Sequence, residues 1–71
     1  MSISAINVRN QFKGRVKSIT TGPVVSEIEV DTPAGIVSSV ITTSSVKNLE
    51  LKVGVEVIAL VKATEVSIAK L

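Results

Sequence analysis

Seventy-one residues with 45% hydrophobic content, eight Lys and Arg against six Asp and Glu, and no Cys describe one small, mildly basic domain spanning 1–71. The absence of Cys and His excludes disulfides and Cys/His zinc staples, and with no Tyr or Trp and only Phe12 as an aromatic, most acid–base, thiol and soft-metal chemistry is also excluded. Nine Ser and six Thr among thirteen Val and eight Ile leave a β-rich frame with hydroxyls, backbone amides and dispersed cations, groups suited to holding an oxyanion.

Met1 to Ile6 is too short and polar for a secretory leader, and no apolar run reaches the length of a membrane span. With no Cys, the expected location is the cytoplasm, with no membrane partner. A period of two then governs the chain. Phe12, Gly14 and Val16 alternate with Lys13, Arg15 and Lys17, so Phe12 to Ile19 is a half-buried first strand. The cations on its other face read as a solvated surface.

Thr20-Thr21-Gly22-Pro23 breaks the period with turn residues. From Val24 to Asp31, Val24, Ser26, Ile28 and Val30 face one way, while Glu27, Glu29 and Asp31 face the other. Those carboxylates alternate along one strand, which is a solvated stripe and not an acid–base pair. Thr32-Pro33-Ala34-Gly35 makes a hairpin turn. The third strand, Ile36 to Thr42, is apolar on both faces.

The period changes at Thr43-Ser44-Ser45, where Thr43 or Ser44 is expected to cap a short helix carrying Val46 and Leu49. Lys52-Val53-Gly54 ends it. Val55 to Ala63 is the fourth strand, with apolar residues on both faces. Thr64-Glu65 interrupts, and Val66 to Leu71 is the expected fifth strand. Three strands, a short helix and two strands fit an all-β, five-stranded OB-like Greek-key barrel; an SH3-like barrel is the alternative. So much apolar side chain on both faces of strands in so short a chain implies burial between copies, hence a homo-oligomer.

Particular stretches carry a family likeness. They are Arg9-Asn10-Gln11-Phe12-Lys13-Gly14, Gly22-Pro23-Val24-Val25-Ser26-Glu27, Ser39-Val40-Ile41-Thr42, Ser45-Val46 and Val61-Lys62-Ala63-Thr64-Glu65-Val66. Taken together they resemble the molbindin family, the small TOBE-type molybdate- and molybdenum-pterin-binding domains. The resemblance covers nearly the whole chain. It implies an OB-like barrel assembled as a hexamer, a trimer of dimers, with molybdate or tungstate bound at subunit interfaces and no reaction performed on it. Intracellular molybdenum storage or homeostasis is the implied role.

The resemblance also nominates residues. One site type implies Arg9 and Asn10 of one subunit with Lys62, Ala63 and Thr64 of another, and Ser39 as a further donor nearby. Arg9 and Lys62 would supply charge, Thr64 a hydroxyl and Ala63 an amide. A second type, near a threefold axis, implies Gly22, Val24, Val25 and Ser26, largely through backbone amides and the Ser26 hydroxyl. The family pattern places Ser-Ala directly before Arg-Asn, whereas Ile6-Asn7-Val8 intervenes here between Ser4-Ala5 and Arg9-Asn10. Either Arg9 is in register, with Asn7 in place of the Ser, or Ser4 is, with Asn7 as the matching Asn. The spacing to Gly14 favours Arg9. No residue is expected to ligate a metal cation directly, since molybdenum would arrive as its saturated oxyanion. The alternatives from other classes are an OB-type nucleic-acid module, against which the single aromatic and the +2 charge argue, and a domain that binds a protein or a pterin.

Overall fold

The computed structural model describes residues 5–71, so Ser4 and its proposed register lie outside the described residues. Four strands and one helix form: β1 (Asn10–Thr21), β2 (Val25–Thr32), β3 (Gly35–Thr42), α1 (Thr43–Asn48) and β4 (Glu56–Val61), followed by a single 3-10 turn, Ala63–Glu65. The sheet is antiparallel, in the order β3-β2-β1-β4.

β1 runs longer than its sequence period indicates, because it changes face partway. Val16 pairs with Val30 but Ser18 pairs with Glu29, so Lys17 is the extra residue of a bulge. Before the bulge Phe12, Gly14 and Val16 point inward; after it Ile19 does, and it packs on the core. Gly14 sits where β1 crosses β2 closely. A Cβ there would collide with the Asp31 carbonyl oxygen and lie 3.0 Å from the Thr32 methyl.

Val16, Ile28 and Val30 make the buried core, with Ile41, Val46, Leu51 and Val57 packed around it. The acidic residues of β2 stay on the outer face, where the Ser18 hydroxyl donates to Glu29 at 2.8 Å. The expected hairpin turn is present. Gly35 takes φ 108°, and the Thr32 hydroxyl closes the loop by donating to the Gly35 carbonyl at 2.6 Å.

The helix cap falls on Thr42, not on Thr43 or Ser44. Thr42 has extended backbone geometry and its hydroxyl oxygen accepts from the Ser45 amide at 3.1 Å. The Thr43 hydroxyl is already committed, donating to the Gly22 carbonyl at 2.7 Å.

The expected five-stranded barrel is corrected to a four-stranded curled sheet with one short helix between the third and fourth strands. Val66 to Leu71 forms no strand. Its apolar residues satisfy the sequence pattern, but a strand exists only by pairing, and the chain folds no edge against this segment. β4 also stops at Val61, because Ala63–Glu65 turns. β3 and β4 are therefore both edge strands. Between them lies an apolar groove of about 280 Å³, lined by Val37, Ser39 and Ile41 on one side and Val57, Ala59 and Val61 on the other.

Candidate oxyanion site

The end of the β1–β4 ladder carries the candidate site. Asn10 opposes Val61 in the last pair, and the Asn10 side chain donates from Nδ2 to the Val61 carbonyl at 3.1 Å. One step beyond, Arg9 leaves β1 on one side and Lys62 leaves β4 on the other. The chain turns sharply at Ala63, and the Glu65 amide donates back to the Lys62 carbonyl at 2.9 Å. A 3-10 turn of this kind leaves its leading amides without carbonyl partners of their own.

The result is a surface depression of about 280 Å³ lined by Asn7, Val8, Arg9, Lys62, Ala63 and Thr64. Four of the residues nominated from sequence thus meet in one place within a single chain: Arg9, Lys62, Ala63 and Thr64. Asn10 does not line the depression; its carboxamide is spent clipping the two strands together. Ser39 lines the apolar groove instead, on the inner face of β3. Asn7 lines the depression beside Arg9.

The charged side chains lining the depression are both cations. Among the described residues, neither Arg9 nor Lys62 makes an ion pair, whereas Glu56 stands 3.7 Å from Lys13 and 3.9 Å from Arg15 on the outer sheet face. Two like charges held across adjacent strand ends repel. Among the described residues no His, Cys, Asp or Glu cluster is fit to hold a metal cation, and no helix is long and apolar enough to cross a membrane.

The second nominated group forms a tied turn. The Gly22 amide donates to the Val25 carbonyl at 3.0 Å, and the Thr43 amide donates to the Val24 carbonyl at 2.8 Å. Ser26 is 2% exposed, and its hydroxyl lies 2.8 Å from that of Thr43. Since Thr43 gives its one proton to Gly22, Ser26 must be the donor in that pair. Gly22 and Ser26 therefore use their donors within the chain, while Val24 and Val25 present side chains to the surface. Thr43, which locks this turn, was legible in the sequence only as a possible helix cap.

The chain is thus a small antiparallel sheet with a depression lined by two cations at one ladder end. The TOBE domain family matches residues 6–68, and the chain belongs to it. It is 42% identical to the probable molybdenum-pterin-binding protein of Haemophilus influenzae over 64 residues, which is 89% of this chain and 93% of that one. A molybdate-binding protein from Sporomusa ovata shares the fold with a TM-score of 0.85 at 40% identity, over 99% of this chain and all of that one. The cytoplasmic molybdate-binding protein ModG, solved with molybdate bound, gives a TM-score of 0.82 at 34% identity, over 86% of this chain and 44% of that one.

Proposed function

We propose that this protein binds molybdate, without chemical change, in the depression formed by Asn7, Arg9, Lys62, Ala63 and Thr64, and that it buffers or stores the anion in the cytoplasm. The observation that carries the reading is that Arg9 and Lys62 line one depression with no carboxylate among its described lining residues. Molybdate is a coordinatively saturated tetrahedral dianion, so it needs donors and positive charge and no His or Cys ligand. Tungstate matches it in charge, shape and nearly in size, and the same donors would take it.

The protein acts as a homo-oligomer in this proposal, a hexamer built as a trimer of dimers. Two open sheet edges flank an apolar groove, and the segment from Val66 to Leu71 displays Ile68 at 90% exposure in the single chain. Covering these surfaces with a second copy would bury them and bring further donors to the depression. The related proteins are binding proteins by name, and a catalytic role is not proposed.

Calorimetric titration with molybdate, tungstate and sulfate tests the reading. Heat and a raised melting temperature with the first two are expected, as a ligand that binds only the folded state stabilises it. No heat from either defeats it. Oligomers that ignore molybdate yet copurify with a pterin would point instead to a pterin-binding role.

A further inference from the structure

The two walls of the depression are secured unequally. The wall formed by residues 62–64 is held by backbone. The Glu65 amide donates to the Lys62 carbonyl at 2.9 Å and the Val66 amide to the Ala63 carbonyl at 3.4 Å, while the Asn10 side chain ties the adjoining Val61 to β1. The opposite wall, made by Asn7, Val8 and Arg9, precedes β1 and lies outside the ladder. Among the described residues, one hydrogen bond alone involves any of residues 5–9: Gln11 donates from Nε2 to the Val8 carbonyl at 3.0 Å.

Gln11 is a firm point to tie to, since it sits in β1 and pairs with Leu60 of β4. A peptide unit is planar, so anchoring the Val8 carbonyl also sets the direction of the Arg9 amide and the path by which Arg9 enters the strand. The bond is exposed, and water can take the Val8 carbonyl when the side chain is removed. Water is not tethered to the sheet, however, so the acceptor stays satisfied while the segment loses its anchor. Ordering that segment must then accompany anion binding, at an entropic cost that the intact protein has met in advance.

Resting on the oxyanion reading of the depression, we propose that Gln11 is a positioning residue of that site. It does not line the depression, but it keeps the wall that bears Arg9 ordered before the anion arrives.

Two variants of the whole protein test this. Gln11→Met keeps the length of the side chain and removes its donor; Gln11→Lys supplies a different donor of sufficient reach. In the anion-free wild type, NMR order parameters at Val8 and Arg9 should lie near the value of rigid backbone, about 0.85, and in Gln11→Met they should fall to about 0.6 or below. Gln11→Lys should restore them, which an added charge without the hydrogen bond would not do. Molybdate affinity measured by calorimetry should drop roughly three- to tenfold in Gln11→Met. The melting temperature should hold, because residues 5–9 can open without unfolding the sheet. Wild-type affinity in Gln11→Met overturns the proposal. So does a fall in affinity with Val8 and Arg9 still ordered, or one matched by a lower melting temperature. Failure of Gln11→Lys to recover the order overturns the hydrogen bond as its cause. Absence of molybdate binding in the wild type sinks the underlying reading, which is a different result from wild-type binding that Gln11→Met fails to weaken.

Discussion

Asn10 and Val61 close the last rung of the β1–β4 ladder twice over, once through their strand pairing and once through the 3.1 Å hydrogen bond from Asn10 Nδ2 to the Val61 carbonyl. The residues next outside that rung are Arg9 and Lys62. Asn10 thus clips together the two strand ends that lead to these cations and does not itself line the depression. Asn10→Ala should lower stability by about 1 kcal/mol, the usual worth of one such bond. It should also weaken molybdate binding several-fold although every charge is kept. Thermal melts and calorimetry on the same samples check both, and unchanged affinity would reduce Asn10 to a structural residue.

Lys62 is exposed and bears no packing load, so Lys62→Ala should leave the fold intact. Loss of a hydrogen bond to a charged group is worth about 1.5–3 kcal/mol. Molybdate affinity should accordingly fall roughly ten- to a hundredfold. Lys62→Arg should recover part of it. Full affinity in the alanine variant would place the anion elsewhere.

Ser26 makes the opposite case. Its hydroxyl is buried and donates to Thr43, which in turn donates to Gly22. Ser26→Ala should destabilise the protein by about 1 kcal/mol by breaking this relay. Affinity at the Arg9–Lys62 depression should not change. A fall in affinity with no fall in melting temperature would mean that the hydroxyl serves a ligand and not the turn between β1 and β2.

How much of this was legible in the sequence follows from which forces act locally. The first three strands and the helix declare themselves through side-chain period and turn residues, and the hairpin at Thr32–Gly35 reads directly from its Pro and Gly. The inward shift from Val16 to Ile19 does not, because a bulge adds a residue without changing composition. The fifth strand was expected from Val66 and Ile68, yet period alone cannot say whether an edge is available to pair with. The meeting of Arg9 with Lys62 lies 53 positions apart in the chain, taking 62 minus 9, and nothing local encodes it. The family likeness named both residues but assigned them to different subunits, and it also nominated Asn10 and Ser39 for places the single chain does not give them.

Gly14 tests the packing of the frame. Its Cα approaches the Asp31 carbonyl so closely that no side chain fits, and both neighbours are backbone or core atoms of β2. Gly14→Ala must push β1 away from β2 beside Val16 and Val30. A loss of about 2–3 kcal/mol is expected, in the range of overpacked cores. Denaturant unfolding measures it; a neutral result would mean that β1 can shift without disturbing the core.

Ile68 decides between a lone chain and an assembly. It is 90% exposed in the single copy, where an apolar-to-charged change costs almost nothing. Between copies the same change would place an unpaired carboxylate against the apolar groove of β3 and β4, at a cost of several kcal/mol. Ile68→Asp should therefore reduce the mass measured by light scattering while leaving the circular dichroism of the sheet unchanged. Anion affinity should fall with it if a second copy contributes donors to the depression. Native mass retained in Ile68→Asp would exclude this segment from the interface and move the search to the exposed side chains of Val24 and Val40.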